Sequence, residues 1–279
     1  MTDTRTLLDA YDAQMRRTPP PGVAHEYDGP LLRMDLDYRG FVTGPRDLGG
    51  LHGRELDELI VRQRDFFAAR GKAVEWKVRG HDAPPDLTDR LRAAGFEPET
   101  QETVLVCPVA ELAVETPAPP DGVTLRQVTA DADMHRTAAL ETAIWGLDLS
   151  EIADDLIGRV ARTPDEIAVL VAEAEGELVS AAWLIFRPGT EFAALMGGST
   201  LAEWRGKGIY RALVAARAEL AAARGVRYLH VDASDDSAPI LRRLGFRAVT
   251  TTTPYVWSPP GDRQSQDTDQ QSQDTDRPR

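Results

Sequence analysis

The chain has 279 residues, of which 42% are hydrophobic and 28% charged, and its formal net charge of −13 corresponds to a pI near 4.9. Because this length exceeds an ordinary domain of about 150 residues, it predicts two globular domains. The acidic balance excludes the basic face with which nucleic-acid binders displace counterions from phosphates, and it suits cationic small molecules better.

The cysteine content and the length of the apolar runs bear on whether the protein binds a metal and in which compartment it is found. The single cysteine, Cys107, cannot form an internal disulfide, and we interpret it as a buried strand residue rather than a reactive thiol. No His/Cys cluster has metal-ligand spacing, so we expect no metal. The first residues lack the apolar core of a signal peptide, and no run approaches the roughly 20 apolar residues of a membrane span. We therefore expect a cytoplasmic monomer or homodimer that binds neither membrane nor nucleic acid.

Hydrophobic periodicity and turn residues divide the first half into alternating helices and strands. In chain order the pattern predicts a helix over Leu7–Arg17, a strand over Leu31–Tyr38, a helix over Glu55–Arg70, a strand over Ala73–Val78, a short helix over Pro85–Ala94 and a strand over Glu102–Val106. A proline-rich, acidic segment follows, and we predict a linker over 116–122.

The second half predicts the order β-α-α-β-β-β-α-β-α-β and a mixed sheet, which places the protein in the α+β class with an α/β mixed sheet. The strands are Val123–Val128, Ile167–Ala174, Leu178–Phe186, Phe192–Thr200, Tyr228–Ala233 and Ala248–Trp257, and the helices are Asp131–Ala143, Ser150–Arg162, one that ends at Arg224, and Ser237–Leu244. The last residues carry S-Q-D-T-D twice and nothing apolar to bury, so 259–279 is predicted to be a disordered tail.

A glycine turn between a predicted strand and a predicted helix carries the clearest chemistry. Residues 200–211 read T-L-A-E-W-R-G-K-G-I-Y-R, and Gly206 and Gly208 let a bulky anion approach the backbone without meeting a Cβ. The first N–H groups of the helix lack partners and lie at the positive end of its dipole, and neighbouring arginines and a lysine add cations. We call residues 204–210 the phosphate cradle.

The spacing within the cradle excludes two common phosphate loops and matches a third. A dinucleotide fingerprint fails because Arg211 occupies the position of its third glycine, and a P-loop fails because Leu201 and Gly208 replace its first glycine and its Ser/Thr. The remaining R-x-x-G-x over Arg205–Ile209, followed by a strand and an L-G-F at 244–246, resembles the GNAT superfamily of N-acetyltransferases. The signature of that family is Q/R-x-x-G-x-G/A, and Tyr210 departs from its final Gly/Ala.

The resemblance covers Val123 to about Trp257 and implies both the fold and the reaction. It implies a mixed sheet flanked by helices and an acyltransferase that moves an acetyl group from acetyl-CoA to a primary amine of a small molecule by direct attack on the thioester. The family loop binds the pyrophosphate of acetyl-CoA.

Two short matches indicate that the first half is a degenerate copy of the second. Ala-Ala-Arg-Gly at 68–71 recurs at 222–225, and Gly-Phe at 95–96 recurs at 245–246. In the first copy the segment 44–53 is rich in glycine but lacks the motif, and the acidic turn after it would repel a phosphate. We therefore predict a degenerate GNAT-like domain over 1–115 and a working acetyltransferase domain over 123–258.

The resemblance also implies which residues contact the cofactor. In the family the arm of acetyl-CoA lies between two strands that splay apart, and the backbone groups freed there, which we place at Ser199–Leu201, pair with the pantetheine amides. Ser234 and Ser237 stand near the family's asparagine position, and a plain helix cap is the competing interpretation. The predicted cofactor-binding residues are Ser199, Thr200, Leu201, Arg205, Gly206, Lys207, Gly208, Ile209, Tyr210, Ser234 and Ser237.

The sequence offers several candidates for the general acid and the general base. The family's thiolate acid, a tyrosine four residues before the glycine of L-G-F, is replaced by Leu241. Tyr255 on the last strand is the nearest substitute, with an edge-strand tyrosine as the alternative, and the Ser234 hydroxyl can also donate. The candidates for the base are Glu191, just before the predicted strand Phe192–Thr200, and Asp232 on the adjacent strand. Glu191 could instead be a solvated hairpin end, and a water chain could act as the base.

The acceptor site in this family is usually built by the loop between the first two helices of the domain and the last strands. That region holds Glu141, Trp145 and Asp148, and an aromatic ring with carboxylates is a good receptor for an ammonium group. The competing interpretation places Trp145 in the core and the acids at helix ends.

Two other functions remain open at the level of sequence. Since Leu241 removes the usual acid and no base is certain, the protein could be a non-catalytic CoA-binding sensor or interaction module. The acceptor could also be a protein amine, at an N-terminus or a lysine, because an acidic surface permits basic peptides.

Overall fold

The structure is a computed structural model that describes residues 2–20, 22–36, 39–112 and 119–260. Part of the expected linker and nearly all of the expected tail lie outside these residues. The elements of the first half are α1 (Thr4–Met15), β1 (Ala24–Asp28), β2 (Leu31–Asp35), β3 (Gly40–Thr43), α2 (Gly53–Ala68), β4 (Val74–Arg79), α3 (Leu87–Ala93), β5 (Glu97–Pro98) and β6 (Glu102–Pro108).

The second half has the element order that its sequence predicts, in a mixed sheet flanked by helices. Its elements are β7 (Val123–Val128), α4 (Asp131–Trp145), α5 (Glu151–Arg162), β8 (Ile167–Ala174), β9 (Glu177–Phe186), β10 (Phe192–Thr200), α6 (Ile209–Ala223), β11 (Tyr228–Ala233), α7 (Ala238–Arg243) and β12 (Arg247–Trp257). The β8–β9 hairpin turns at Glu175 and Gly176, whose φ angles of 54° and 85° are both positive, as a two-residue turn of the I′ kind requires.

The chain divides into two compact units that each combine residues from both halves. Of the described residues, unit 1 contains 2–15, 20, 22, 103–112 and 119–249, and unit 2 contains 16–19, 23–36, 39–102 and 250–260. Strand β6 follows the first half in sequence, yet it pairs with β11 in unit 1, from Thr103↔Ala233 to Pro108↔Tyr228. Most of β12 pairs with β4 in unit 2, from Thr252↔Arg79 to Trp257↔Val74. The units therefore differ from the segments 1–115 and 123–258, because strand pairing rather than chain order decides membership.

Unit 1 is a six-strand sheet with helices on both faces. The strand order is β6-β11-β10-β9-β8-β7, and β10 and β11 are parallel whereas the other neighbours are antiparallel. Helices α6 and α7 bury Leu213 and Leu241 against one face. On the other face α4 and α5 cover β8 and β9, and α1 packs Tyr11 against Phe192 and Tyr228. The buried Cys107 lies in the core that α6 and α7 cover.

Unit 2 repeats the central part of this arrangement on a smaller scale. Its strand order is β1-β2-β3-β4-β12, with β5 also paired to β12. Strands β3 and β4 are parallel and joined by α2, as β10 and β11 are joined by α6. Helices α2 and α3 bury Ile60, Phe67 and Leu91 against Trp76 and Val42. Each unit thus contains a parallel strand pair with a crossover helix, followed by a short helix.

Candidate active site

The site in unit 1 begins where the parallel strands β10 and β11 stop pairing. They pair only at Phe192↔Tyr228, Ala193↔Leu229 and Ala194↔His230. Beyond Ala194, β10 stays paired with β9 as far as Thr200, and β11 stays paired with β6 as far as Ala233. A gap therefore opens between the carboxyl ends of the two strands, and it opens earlier than the expected splay at 199–201.

A β-bulge in β10 decides which face of the sheet its last side chains occupy. Gly197 is opposite Ala182 and Ser199 is opposite Ala181, so Gly198 is an extra residue in β10. In a regular strand Met196 and Ser199, three residues apart, would lie on opposite faces of the sheet, because side chains alternate along a strand. The bulge makes Gly197 and Gly198 count as one position, so Met196 and Ser199 both lie on the face that carries α4.

The phosphate cradle leaves its backbone donors open. Gly206 and Gly208 have φ angles of 75° and 90°, a conformation that favours glycine, and Gly208 is the N-cap of α6. Ala212 N–H donates to Gly208 O at 3.0 Å, whereas in the described part of the chain none of the N–H groups of 206–211 donates to a protein acceptor. In the cradle, Arg205, Gly206 and Lys207 are exposed, and Ile209 is buried.

Two cations are held near these amides. Arg205 Nε donates to Thr200 O at 3.0 Å, which ties the cradle to the end of β10. Lys207 Nζ lies 4.2 Å from the centroid of the Trp204 ring. Open amides at a helix N-terminus with flexible cations around them are the donor set that a diphosphate requires. These residues therefore fit the pyrophosphate of acetyl-CoA.

Tyr210, which departs from the Gly/Ala of the family signature, packs over the bulge. A Cβ on Gly198 would lie 2.8 Å from Tyr210 Cε2, so the bulge needs glycine at this position. Burial raises the pKa of Tyr210. The large side chain of Tyr210 therefore fits the space left by the missing side chain of Gly198.

Hydrogen bonds bridge the strand ends at the parallel pair of unit 2. Arg79, buried at the end of β4, donates from Nη1 to Thr43 Oγ1 at 2.7 Å. The loops that follow β3 and β4 are joined by Ala83 N–H to Arg46 O at 2.8 Å and by Arg46 Nε to His81 O at 2.9 Å. The strand ends are thus tied together by side chains and loops.

The structure brings two of the three expected acceptor residues together with Ser199, an expected cofactor-binding residue. Trp145 Nε1 donates to Glu141 Oε2 at 2.9 Å and to Ser199 Oγ at 3.2 Å, and Ser199 Oγ donates to the same Glu141 oxygen at 2.7 Å. Trp145 is the last residue of α4, one turn after Glu141, where we expected a loop. Its ring is 61% exposed, whereas Glu141 is 3% exposed.

The environment of Glu141 favours its neutral form. Burial raises the pKa of the Glu141 carboxyl, and the hydrogen bonds from Ser199 and Trp145 only partly oppose this effect. Asp148 differs: it is exposed, its Oδ1 accepts from Ser150 N–H at 3.0 Å, and this contact lowers its pKa. Asp148 therefore marks the turn before α5.

The expected base Glu191 lies at the opposite end of β10 from the bulge. It accepts from Gln14 Nε2 at 2.9 Å and pairs with Arg227 Nη1 at 3.1 Å. The hydrogen bond from Gln14, followed by that from Arg227, lowers its pKa, so the group holds a proton poorly. Its contacts indicate a link between α1 and the start of β11.

The other expected residues lie on β11 and just beyond it. Asp232 is partly buried, and His230 on the same face contacts the ring of Tyr11, 5.9 Å away between centroids. Ser234 and Ser237 follow β11, with their hydroxyl oxygens 3.2 Å apart, at the carboxyl end of the strand. Ser237 makes no side-chain cap bond to α7, and Ser234 is exposed.

Tyr255, expected as the acid for the thiolate, lies instead in the core of unit 2. It is 4% exposed and is opposite Trp76 in the β12–β4 pair. The sequence suggested that the last strand completes its own domain, but β12 enters unit 2 after Val249. Its side chain is therefore part of the apolar core of unit 2.

Sequence reasoning missed a buried arginine beneath the bulge. Arg217 on α6 is 1% exposed and donates from Nη1 to Trp183 O at 3.3 Å and to Met196 O at 3.2 Å. Burial lowers its pKa to about 10. The signal was available, since Arg217 follows Leu213 by four residues and so shares its apolar helix face.

In the described ranges, no three His, Cys, Asp or Glu side chains are grouped to hold a metal ion. No helix in those ranges has the length and apolar character needed to cross a bilayer.

Comparisons with known proteins give a family for the segment that carries the cradle. Residues 134–246 match the model of the acetyltransferase (GNAT) family. No curated protein matches the chain. Among solved structures, a GCN5-related N-acetyltransferase from Kribbella flavida is similar, with a TM-score of 0.65 and 19% identity over 94% of this chain and 97% of that one.

Two further solved structures share the fold over most of the chain. A GCN5-related N-acetyltransferase from Sphaerobacter thermophilus has a TM-score of 0.60 and 18% identity over 82% of this chain and 76% of that one. A tandem GNAT protein from the clavulanic acid biosynthesis pathway has a TM-score of 0.59 and 18% identity over 91% and 94%. At these identities the likeness shows the fold alone.

Proposed function

We propose that this protein, in which residues 134–246 match the model of the acetyltransferase (GNAT) family, is an acyltransferase that transfers an acetyl group from acetyl-CoA to a primary amine of a small molecule. The family generally uses acetyl-CoA as co-substrate. The observation that carries the proposal is the set of open amides at 206–211 beside the gap between β10 and β11.

The cradle supports the cofactor half of the proposal. The amides of 206–211 and the side chains of Arg205 and Lys207 would hold the diphosphate, and the unpaired edges of β10 and β11 would accept the arm. When bound there, acetyl-CoA supplies the activated acetyl group. Positioning the two reactants can lower the activation barrier by up to about 7–11 kcal/mol, so the reaction needs few catalytic side chains.

The cluster of Glu141, Trp145 and Ser199 supports the acceptor half. An indole face that is open to solvent, with a buried carboxylate behind its N–H, suits an ammonium group or an amine. The expected acceptor residue Asp148 is proposed only as a peripheral charge, since its carboxylate serves the turn before α5.

Calorimetry with CoA and acetyl-CoA tests the cofactor half. Gly208→Asp places a carboxylate among the open amides, where one added like charge costs about 1–4 kcal/mol at 4 Å. We therefore expect Kd to rise between about 5-fold and 1000-fold. Gly225→Asp is the matched control, because Gly225 follows the other end of α6 and also has an open surrounding and a positive φ, 70°.

Turnover tests the acceptor half and separates the alternatives. The protein is incubated with acetyl-CoA and butylamine, tyramine, glucosamine or a lysine peptide, and the released thiol is measured. Release with a small amine supports the proposal, release with the peptide alone supports a protein amine, and binding without release supports a non-catalytic module. No saturable binding of CoA to the wild-type protein would remove the proposal altogether.

A further inference from the structure

The carboxyl group of Glu141 is buried and only half satisfied. Its Oε2 accepts from Ser199 and Trp145, but in the part of the chain that the structure describes, its Oε1 has no hydrogen-bond partner. A buried carboxylate without a cation costs several kcal/mol of solvation, so a protein that only needed stability would place an apolar or amide side chain there.

Among the described residues, no charged group compensates the Glu141 carboxylate. Helix α4 packs against α5, β9 and β10, whose charged residues include Glu151, Asp154, Asp155, Arg159 and Glu177. In the described ranges none of these bonds to the Glu141 carboxylate, and only burial, Ser199 and Trp145 act on its pKa, with burial raising it. Glu141 therefore takes up a proton more readily than an exposed glutamate does.

Ser199, whose hydroxyl holds this carboxyl, lies on the strand that borders the gap. Ser199 lies on β10 beyond Ala194, where pairing with β11 has ended, and the bulge turns its side chain towards α4. Its O–H points to Glu141 Oε2 at 2.7 Å and its oxygen accepts from Trp145 Nε1 at 3.2 Å. A hydroxyl oxygen can accept a second hydrogen bond, which leaves one position for an N–H of the acceptor.

We propose that Ser199 and Glu141 form a proton relay that takes the proton from the acceptor amine during acetyl transfer. This inference rests on the proposed function. As the nitrogen bonds to the acetyl carbon and the carbon–sulfur bond breaks, the amine proton passes to Ser199 Oγ and the serine proton passes to Glu141 Oε2. Water protonates the departing thiolate and later receives the proton of Glu141, so atoms and charges balance. Trp145 positions the carboxylate through its N–H.

The first test needs no substrate. Protonation of Glu141 changes the partner of the Trp145 N–H, so the fluorescence of the free protein should change with pH, with a midpoint above the ordinary glutamate value of about 4.3. Glu141→Gln and Trp145→Phe should each abolish the transition, although four other tryptophans remain. A transition that persists in Glu141→Gln, or that is absent from the wild-type protein, overturns the relay.

Ser199→Ala keeps the test valid if the glutamine variant does not fold. The hydrogen bond from Ser199 lowers the pKa of Glu141, so its removal should move the fluorescence midpoint to higher pH. An unchanged midpoint contradicts the contact on which the relay depends. Ser199→Thr retains a hydroxyl and should keep the wild-type midpoint.

The second test measures turnover of acetyl-CoA with the amine that is fastest in the panel above. Glu141→Gln should lower kcat about 10²- to 10⁴-fold, the range of general-base catalysis, and remove the acid-side fall of kcat/KM with pH. Glu151→Gln removes one exposed charge at the start of α5 and should change neither. Wild-type kcat and pH profile in Glu141→Gln overturn the relay.

Calorimetry separates the two hypotheses. If Glu141→Gln binds CoA normally but turns over slowly without the acid limb, both hold. If the wild-type protein does not bind CoA, the proposed function fails, whatever the fluorescence shows. If no amine is turned over, the fluorescence titration alone decides whether Glu141 exchanges a proton with this cluster.

Discussion

Replacing Gly198 by alanine places a methyl group against the ring of Tyr210. The new Cβ would lie 2.8 Å from Tyr210 Cε2, and the residue would have to keep a φ of 96°. The ring cannot move away freely, because Tyr210 packs against the core that contains Leu213 and Leu195. Two independent costs therefore act on the folded state alone.

The expected loss of unfolding free energy is the sum of these costs. An alanine in a left-handed conformation costs about 1–2 kcal/mol. Forcing one carbon into a packed contact costs about 1–3 kcal/mol more, so we expect Gly198→Ala to destabilise the protein by about 2–5 kcal/mol. Gly206→Ala is the control, since its φ is 75° but a Cβ there meets nothing within 4 Å, and we expect only the first cost.

Urea denaturation of the two variants and of a double-mutant cycle measures the clash. Tyr210→Ala installs the small residue of the family signature and removes the ring, so in that background Gly198→Ala should cost about 1–3 kcal/mol less. Equal losses for Gly198→Ala and Gly206→Ala, or strict additivity with Tyr210→Ala, would show that the bulge and the cradle are not coupled in this way.

Three further predictions follow from burial and pairing in unit 1. Burial raises the pKa of the Cys107 thiol to about 12, so only about 10⁻⁴ of the thiol is ionised at pH 8. A disulfide reagent should therefore modify the native protein only after denaturant is added. Rapid modification without denaturant would contradict the burial of Cys107. Hydrogen bonds from Arg247, then Thr2, lower the pKa of Glu111 from 4.5 to about 2, so the unfolded state binds more protons between these values and stability falls as the pH falls. The urea midpoints of wild type and Glu111→Gln should therefore differ above pH 5 and converge near pH 2, and a constant difference would refute this. A chain that begins at residue 116 lacks β6 and exposes the edge of β11, so it should aggregate more than a chain that begins at 103. Light scattering measures this aggregation. Equal scattering from the two chains would show that β6 does not protect the edge of β11.

Local features of the second half could be predicted from sequence because they depend on neighbours in the chain. The turn at Glu175 and Gly176, the parallel β10–β11 pair and the strand-turn-helix around Gly208 follow from turn chemistry, alternation and crossover rules. The open amides of the cradle follow from the same source, since every helix leaves its first N–H groups without internal partners.

The contents of the acceptor site needed the tertiary structure. Glu141 and Ser199 are 58 residues apart, and their contact depends on the packing of α4 over β10 and on one extra residue in that strand. No periodicity reports a bulge, because Gly197 and Gly198 suit a turn equally well. The raised pKa of Glu141 also arises from burial, which sequence cannot assign to one acid among many.

The sequence by itself determined the cradle, its motif and the order of elements, since these depend on backbone conformations that a few adjacent residues impose. Only the tertiary structure decided that β6 completes unit 1, that Tyr255 is buried in unit 2 and that Glu141 lies behind Ser199. Strand partners and burial are chosen by the free energy of the whole packed chain, in which residues distant in sequence compete for the same sheet edge and the same apolar volume.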